Sequence, residues 1–437
     1  MHKKTVIILG AGFAGLGCAL KLADEFNVIL VEKQETLGGV VASVDYNGIK
    51  IPWGSHWILS TDKTLLYLVN YVGLEKRLLW EDVKMGFYYE GKIYGISNPI
   101  NLLKFKPLPF ADRIKFAFFA LKLKLIKQKN LEGQSAKKWL TKFASKNICD
   151  NLFEPLSKIK FNQTLEDVSA SWLYNRLMDT IKGGEKYGFV SGGGFESLID
   201  GIEEKIKQNG GRILTSVNVK RISAENGIVK GIEVEINNKN ELIQADAVVS
   251  TIPTPILPKI VDLPKDFADQ LSHIKYKYII NAFYIIDKKF IEEFDWVNFC
   301  YGDLPFGGIL QHDLKIYSGE SGEDGTILYV FTYLNEDSDL WKKSEKDISE
   351  AYIRELEKVN PEIRKIIKYE KVTKSNLAWP IYNKDYSKYM PGPITPIKGL
   401  FLAGIYCTYP KMPSTGVAAE SGFETAEEVK KYLKDGT

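Results

Sequence analysis

A glycine-rich turn near the amino terminus constrains the fold of this chain more than any other feature. The apolar run 5–9 predicts a buried strand, and the turn after it opens directly into a helix pattern. A second apolar run, 28–31, ends in the acidic residue Glu32. Strand, glycine turn, helix, strand and acid follow one another in the βαβ unit that binds dinucleotides. The residues of the turn and helix start that we predict to bind the cofactor are Gly10, Gly12, Phe13, Ala14 and Gly15.

Each glycine of this turn has a separate physical task. Gly10 permits the tight turn, Gly12 lets the backbone approach a pyrophosphate, and Gly15 lets the helix pack closely on the strand. The helix start points its N–H groups and its positive dipole end at the phosphates. Glu32 would accept hydrogen bonds from a ribose diol and would repel a 2′-phosphate, which disfavours NADP. A glycine turn between unrelated elements is the alternative, but the flanking strands and the acid argue against it.

The residues after Glu32 indicate which dinucleotide is bound. A second glycine pair lies at 38–39, and a Gly-Ser-His segment follows at 54–56. This order resembles the flavoprotein superfamily of amine oxidases, protoporphyrinogen oxidases and phytoene desaturases, with UDP-galactopyranose mutases as close relatives, and it implies FAD. Val40 departs from the family, which usually has arginine there, and Trp53 stands near the position of a common aspartate. The residues that the resemblance places at the cofactor in this segment are Lys33, Gly38, Gly39 and Val40.

Two segments far downstream extend the resemblance. Glycines at 192–194 precede a helix pattern, and the run 245–253 is predicted to be a strand that returns to the parallel sheet. Near the end, a strand at 399–404 leads through a loop into a helix over 418–434. In the superfamily the middle segment closes over the adenine, and the last helix points its amino terminus at the N1/C2 edge of the flavin. The residues assigned to FAD in this way are Val219, Gly404, Gly416 and Val417.

The predicted fold class is α/β, with a Rossmann-like FAD-binding domain of the glutathione-reductase type. This domain is expected to consist of residues 1–61, 186–262 and 372–437, separated by two insertions. The first insertion, 62–185, is predicted to be mostly helical. The second, 263–371, has the β-rich runs of an antiparallel sheet. We therefore expect a discontinuous α+β substrate domain together with a helical insertion.

Composition bears on partners and compartment. The net charge of +3 is too small to indicate a nucleic-acid binder, and no run approaches the ~20 apolar residues of a membrane span. The four cysteines lie far apart, which argues against a disulfide framework or a structural zinc, and we expect no secretory signal. We therefore expect a cytoplasmic protein without a metal site; its oligomeric state does not follow from the sequence.

One local asymmetry lies inside the first insertion. Residues 101–130 carry eight basic side chains against Asp112 alone, interleaved with leucines and phenylalanines. This composition is typical of a segment at a membrane interface, with lysines near anionic head groups. The resemblance agrees, because protoporphyrinogen oxidases and phytoene desaturases are monotopic through a comparable helical insertion. A helix with phenylalanines in the core and lysines in water fits equally well; the first interpretation predicts peripheral association with the inner face of the membrane.

Few protein groups are needed for the chemistry, because a flavin accepts the hydride itself. His56 falls in the segment that the superfamily places beside the flavin, where it would donate to a flavin or substrate oxygen; a packed structural histidine is the alternative. Trp379 resembles an aromatic residue bordering the cavity of amine-oxidase-like proteins, and Tyr406 is a candidate lid over the ring. Core packing explains either equally well. Arg176, near Trp172, would bind a substrate phosphate or carboxylate, or form a surface ion pair.

Three functions stay open. The first is an FAD-dependent oxidase, dehydrogenase or desaturase that takes a hydride from a bulky, partly apolar small molecule such as a lipid precursor, porphyrinogen or amine. The second is a non-redox sugar mutase of the UDP-galactopyranose mutase kind that uses reduced FAD. Only seven arginines occur, and no clear pair of them would grip a diphosphate. The third is a flavoprotein whose catalysis is lost. We favour the first, with FAD bound noncovalently even though Cys407 lies close to the last FAD segment.

Overall fold

The computed structural model describes residues 3–95, 99–181, 186–236, 239–301, 304–319 and 322–434. Three predicted domain limits, 1, 185 and 437, lie outside these residues. The strands, in chain order, are β1 Thr5–Leu9, β2 Asn27–Val31, β3 Ser43–Tyr46, β4 Ile49–Pro52, β5 Ile58–Leu59, β6 Leu78–Glu81, β7 Met85–Tyr89, β8 Lys92–Gly95, β9 Tyr187–Val190, β10 Arg212–Leu214, β11 Asn218–Glu225, β12 Ile228–Ile236, β13 Lys239–Gln244, β14 Ala247–Ser250, β15 Tyr278–Ile286, β16 Trp296–Asn298, β17 Gly308–Asp313, β18 Thr326–Leu334, β19 Ile367–Ser375 and β20 Leu400–Leu402. The helices are α1 Phe13–Leu22, α2 Lys63–Tyr71, α3 Pro99–Leu103, α4 Phe110–Leu123, α5 Ala136–Phe143, α6 Lys146–Ile148, α7 Glu154–Phe161, α8 Ala170–Ile181, α9 Phe195–Gln208, α10 Leu257–Ile260, α11 Lys265–Ser272, α12 Lys315–Ser318, α13 Asp339–Lys342, α14 Glu345–Leu356, α15 Ile363–Ile366 and α16 Thr415–Lys434.

The strands on either side of the glycine turn lie in a five-stranded parallel sheet, in the order β10-β2-β1-β14-β20. Its central strands are runs of valine, isoleucine and leucine that are buried on both faces, as parallel strands covered by helices are. Val6 of β1 pairs with Val28 on one side and with Ala247 on the other. α1 packs on α16, so that the first and last helices meet. The prediction of an α/β fold with a parallel sheet is therefore confirmed.

A second sheet has seven strands, in the order β19-β15-β18-β17-β16-β7-β8, antiparallel except between β16 and β7. Side chains of β15 alternate between two apolar cores because successive residues of a strand point to opposite faces. Tyr284 packs in the core that contains Tyr352 of α14. Phe283 packs in the core that contains Ile51 of β4. The face of the sheet that carries Phe283 therefore packs against β4, in the segment that follows the second glycine pair.

The interval 62–185, predicted to be mostly helical, also contains strands. β6 pairs with β9 in a small antiparallel sheet, and β7 and β8 form one edge of the seven-stranded sheet. With four or five residues each, these strands are too short for their periodicity to separate them from loops. β19 begins at Ile367 and so continues across the predicted limit at 371. The division into domains stays a prediction.

Helices α4 to α8 pack around Trp139, which is fully buried together with Phe119. α6 runs through a π-helical turn into α7. The carboxyl end of α7 then approaches the seven-stranded sheet, because a Cβ on Gly307 would lie 2.9 Å from the carbonyl oxygen of Ile159. No helix in the described ranges is long and apolar enough to cross a membrane.

Candidate active site

The glycine turn leaves space at the start of α1. Gly10 has a φ of +96°, a left-handed conformation that favours glycine. A Cβ on Gly15 would lie 1.9 Å from Gly10 O, so α1 approaches the turn only because that side chain is absent. Gly12 is the N-cap, no side chain of the described residues caps the helix, and a Cβ on Gly12 would meet nothing within 4 Å. An uncapped helix start beside open space is what a phosphate requires.

Glu32 lies beside this turn, directly after β2. Its Oε2 accepts a hydrogen bond from Ala11 N at 2.7 Å, and its Oε1 accepts one from Gln34 N at 2.8 Å. Each carboxylate oxygen has a second lone pair, so both stay able to accept from a ribose diol. Lys33, the next residue, is exposed.

The second glycine pair packs on the first turn. Gly38 and Gly39 have φ values of +98° and +61°, and a Cβ on Gly39 would lie 3.3 Å from Gly12 Cα. Val40, where the family usually has arginine, is 53% exposed. The backbone of this segment therefore borders the open space at Gly12, whereas the Val40 side chain adds no polar group.

In the middle segment, residue 217 contacts the backbone of Glu32. Val217 N donates to Glu32 O at 3.0 Å. Val219, predicted to contact the cofactor, lies in β11 opposite Val234 and is half-buried. The assignment of Val219 to the cofactor stays a prediction.

The last segment brings a third loop to the same region. Gly404 N donates to Ser421 Oγ at 2.8 Å, which ties the loop after β20 to α16. α16 begins at Thr415, three residues earlier than predicted, so that Gly416 and Val417 lie in its first turn. A Cβ on Gly416 would lie 2.1 Å from the carboxylate of Asp62, the N-cap of α2. Sequence reasoning missed Asp62, although an aspartate directly before a helix pattern is an N-cap signal.

Contacts between the three segments complete the cradle. A Cβ on Gly422 of α16 would lie 2.1 Å from Ala14 O of α1, so the two helices touch through glycine. The ring of Phe13 meets that of Phe195, the first residue of α9, edge to face at 5.7 Å. The three segments that the sequence predicts to share one cofactor thus converge at the carboxyl edge of the parallel sheet. Open space, an uncapped helix and Glu32 together fit a dinucleotide.

His56 lies next to this cradle, with a defined tautomer. Its Nδ1 donates to Gly54 O at 2.7 Å, because a carbonyl oxygen only accepts. Burial lowers the pKa of His56 to about 4, so the ring is neutral and Nε2 carries no proton. In this tautomer Nε2 presents a lone pair, so the predicted donation from His56 to a flavin or substrate oxygen would need the other tautomer. The ring also packs edge-on against Phe195, with centroids 6.0 Å apart.

Trp379 and Tyr406 occupy different surroundings. Trp379 lines a cavity together with Trp172, and its ring stacks on Tyr333 with centroids 5.6 Å apart. Tyr406 donates through its hydroxyl to Ser250 O at 3.2 Å and is 3% exposed. Tyr406 therefore packs in the core against β14, as the alternative interpretation of the sequence had it. This placement gives no support to a lid.

A buried lysine that the sequence analysis missed lies beside Trp379. Lys277 N donates to Trp379 O at 2.9 Å, which continues the strand pairing just before β15. Lys277 is 2% exposed, and its Nζ lies 3.5 Å from Asn162 O. Burial lowers the pKa of Lys277 to about 8. One signal was available in the sequence. Lys277 lies six positions before Phe283, and residues an even number of positions apart in a strand face the same side of the sheet.

A second interior lysine, Lys160, lies near the end of α7. Its Nζ sits 4.1 Å from the centroid of the Trp296 ring. Burial and then the charge of Arg176 on α8 lower the pKa of Lys160 to about 7. By surface area Lys160 is half-buried. The predicted pair of Trp172 and Arg176, one turn apart on α8, thus lies beside two lysines.

Comparisons with known proteins identify the class of enzyme. The model of a family described as flavin containing amine oxidoreductase matches residues 13–430. The 15-cis-phytoene desaturase of Synechococcus elongatus is 26% identical, over 97% of this chain and 95% of that protein. An oxidoreductase structure from Methanosarcina mazei has a TM-score of 0.75 and 17% identity, covering 97% of this chain and 100% of that one. The structure of a reduced UDP-galactopyranose mutase has a TM-score of 0.74 and 15% identity, covering 99% of this chain and 94% of that one.

The chain belongs to the flavin containing amine oxidoreductase family, since the match spans nearly all of it. It is an FAD-dependent oxidoreductase, as the glycine turn, Glu32 and the two downstream segments predicted. The likeness to the two solved structures shows the fold alone at these identities. It therefore gives the mutase no weight beyond a shared architecture.

Proposed function

We propose that the protein takes a hydride from a bulky, partly apolar substrate and passes it to noncovalently bound FAD. The observation that supports this most directly is the cavity bordered by Trp172, Trp379 and Phe161, where α7 and α8 approach the end of the seven-stranded sheet. Aromatic walls with a few polar groups are typical of sites that hold a bulky apolar body in a fixed orientation. FAD, when bound, supplies the hydride acceptor.

The cofactor is proposed to lie in a Rossmann-like domain of the glutathione-reductase type made of residues 1–61, 186–262 and 372–437. The first turn of α1 would hold the pyrophosphate, Glu32 the ribose, and the start of α16 the electron-rich edge of the flavin. The open space beside Gly12 and the contact between α1 and α16 support this assignment. Burial raises the pKa of the Cys407 thiol, which keeps the thiol protonated and favours noncovalent binding.

His56 is proposed to orient the flavin or the substrate as a hydrogen-bond acceptor. Its Nδ1 proton is held by Gly54 O, so Nε2 presents a lone pair. Substitution by asparagine keeps a donor near Gly54 and removes that acceptor. We expect His56→Asn to retain FAD and to lower turnover.

Flavin reduction tests the proposed reaction. Under anaerobic conditions, candidate lipid precursors, porphyrinogens and amines are mixed with the FAD-loaded protein, and bleaching of the flavin absorption is followed. Reduction by one of them supports hydride transfer. Turnover of UDP-galactopyranose only after dithionite reduction would establish the mutase instead, and bound FAD with neither response would indicate lost catalysis. Release of the flavin by acid precipitation checks noncovalent binding.

Trp379 offers a matched test of the cavity. We expect Trp379→Ala to raise KM at least about tenfold, since a truncated aromatic wall loses about 1.5–3 kcal/mol of apolar contact. Trp80→Ala is the control, because Trp80 is 39% exposed on β6. Equal effects of the two substitutions would remove the support for this cavity as the substrate site.

Helix α4 also carries an exposed apolar stripe, for which we propose a lipid surface as partner. Phe119 and Leu123 face the core, as the alternative interpretation of the sequence expected, but other apolar residues of this helix do not. Those residues recur every three or four positions on one face, and several lysines beside them are exposed. The stripe, with its exposed fractions, is Phe110 64%, Ile114 41%, Phe118 59% and Leu121 65% in α4, and it continues to Leu125 84%, two residues past the end of the helix.

Flotation with anionic liposomes tests the lipid surface. The parent protein is expected to float, and Phe118→Glu with Leu121→Glu should abolish flotation. Reversing the charges of Lys122, Lys124 and Lys127 should weaken it as salt does. Leu242→Glu, at an exposed leucine of β13, is the matched control and should float normally. Failure of the parent protein to float would refute a lipid surface as the partner of the stripe, even if a protein binds there.

A further inference from the structure

Two interior lysines stand on either side of the carboxyl end of α7. Lys277 reaches Asn162 O, the C-cap of α7, at 3.5 Å. Lys160, on the last turn of α7, lies over the ring of Trp296. Phe161 lies between Lys160 and Asn162 in sequence. Its ring borders the cavity that is also lined by Trp172, Trp379 and Lys277. One ammonium group, that of Lys277, therefore borders the cavity, and a second, that of Lys160, lies on the last turn of α7 one residue before Phe161 of the cavity wall.

These two charges have no anionic partner within the described residues. Neither lysine takes part in an ion pair there, and the titratable groups that act on Lys160 are the Arg176 guanidinium and the Cys300 thiol. The carboxyl end of a helix supplies about half a negative charge, which does not balance two ammonium groups.

Hydrogen-bond donors are in surplus here as well. The indole Nε1 atoms of Trp172 and Trp296 are buried and have no acceptor among the described residues. Trp172 borders the cavity with Lys277, and Trp296 lies under Lys160. Buried donors and cations are costly unless an acceptor completes them. The missing partner is therefore an acceptor with negative charge.

We infer that the substrate carries an anionic group, a carboxylate or a phosphate, that Lys160 and Lys277 hold at the end of α7 while the aromatic rings hold its apolar body. The inference rests on the proposed function and narrows its substrate class. It disfavours a protonated amine, which the two lysines would repel. It equally disfavours a pure hydrocarbon, which would leave the lysines buried without an anionic partner.

Calorimetry on the FAD-loaded protein tests the anionic group with four probes that share one aromatic body. Naphthoate and naphthyl phosphate are anions, naphthamide is neutral, and naphthylmethylamine is a cation. We expect one or both anions to bind at least about tenfold tighter than the amide, and the amine to bind weakest. Preference for naphthoate or for naphthyl phosphate distinguishes a carboxylate from a phosphate. Equal binding of anion and amide, or no binding of any probe, would overturn the inference.

Variants assign the preference to the lysines. Lys160→Gln and Lys277→Gln should each reduce the preference for anion over amide several-fold, and together they should remove it. Lys158→Gln, an exposed lysine on the same helix, is the matched control and should leave the preference unchanged. The binding of naphthoate should also weaken as the pH rises through the pKa values of about 7 and about 8 at which these lysines lose their protons.

Two further readouts separate this role from its alternatives. If the lysines serve the fold, the glutamine variants should unfold at lower temperature; we expect unchanged or higher Tm, because each removes a buried unpaired charge. If they serve the flavin, the variants should shift its absorption spectrum or lose FAD while the preference among probes persists. Either of these results would overturn the inference. Protein that binds no FAD at all would instead contradict the proposed function.

Discussion

At the scale of single residues, the site depends on where side chains are absent. Gly15 and Gly12 lie three positions apart, yet a Cβ on Gly15 would collide with Gly10 O whereas a Cβ on Gly12 would enter open space. We expect Gly15→Ala to lower both the thermal stability of the apoprotein and its FAD content. We expect Gly12→Ala to leave the apoprotein stability nearly unchanged and to lower FAD affinity alone, because the methyl group occupies the space of the phosphate.

Thermal unfolding of the apoprotein and flavin absorption after reconstitution measure the two effects separately. Gly392→Ala, at a glycine away from the cradle that has no positive φ and where a Cβ would meet nothing within 4 Å, controls for the replacement of a glycine as such. A Gly12→Ala protein that binds FAD normally would contradict the assignment of the open space to the cofactor.

His56 makes the stability of the protein depend on pH. The pKa is lowered from 6.5 to about 4 by burial, so the unfolded chain binds a proton in this window that the folded protein does not. Stability therefore falls as the pH drops from about 6.5 toward about 4 and is unaffected by this group above that range. Between about pH 7 and about pH 5 the expected loss from His56 is about 2 kcal/mol.

Urea unfolding at the two pH values measures this loss. His56→Asn should reduce the difference by about 2 kcal/mol, while His312, whose pKa is also lowered by burial, continues to contribute in both proteins. An identical pH dependence in parent and variant would show that the imidazole is not held neutral by the fold.

At the scale of elements, Asp112 joins α4 to the start of α6. Its carboxylate is 3% exposed and accepts hydrogen bonds from Asn147 Nδ2 at 2.9 Å, Ser145 Oγ at 3.1 Å and Lys115 Nζ at 3.1 Å. Asp112→Ala leaves the Asn147 and Ser145 donors unsatisfied and is expected to cost about 1–3 kcal/mol. The cost should appear as a lower Tm and as faster proteolysis after α4.

The carboxylate form of Asp112 carries this contribution. The hydrogen bond from Asn147 is the main reason that the pKa of Asp112 lies below its usual value. The carboxylate therefore stabilises the folded protein fully at pH values above that usual pKa, and this stabilisation is lost as the pH falls through the lower pKa of the folded protein. Asp150→Ala is the control, because Asp150 forms a surface ion pair with the exposed Lys146 and should matter less. Equal losses of stability from both substitutions would contradict the proposed link between α4 and α6 through Asp112.

At the scale of the whole molecule, the proposed cofactor site connects the first, middle and last thirds of the chain. A ligand that binds only this assembled state stabilises the folded protein by about 2.7 kcal/mol at a concentration of 100 times its Kd. FAD is therefore expected to raise the Tm of the apoprotein. Riboflavin lacks the adenylate that the glycine turn and Glu32 would hold, so it should raise the Tm much less. Equal shifts from FAD and riboflavin would show that the turn does not carry the binding.

Elements formed by local interactions could be predicted from the sequence, whereas elements formed by contacts between distant residues could not. Strands such as 5–9 and 28–31 were readable because a buried parallel strand is a short continuous apolar run. The short strands β6 to β8 were not readable, because tertiary pairing rather than local pattern makes them strands. Tyr406 and Trp379 looked equivalent in sequence, and only the fold put one in the core and the other in the cavity.

The sequence by itself determined the dinucleotide cradle, since turn, helix and acid lie within about thirty consecutive residues and each position answers to local sterics or charge. Only the tertiary structure decided the character of the proposed substrate site. Lys160 and Lys277 are 117 positions apart and resemble the surface lysines around them. They differ from those lysines because the fold buries them and, within the part of the chain that the structure describes, places no acid beside them. The exposed stripe of α4 was decided in the same way, because burial of Phe119 and exposure of Phe118 depend on which face its neighbours cover.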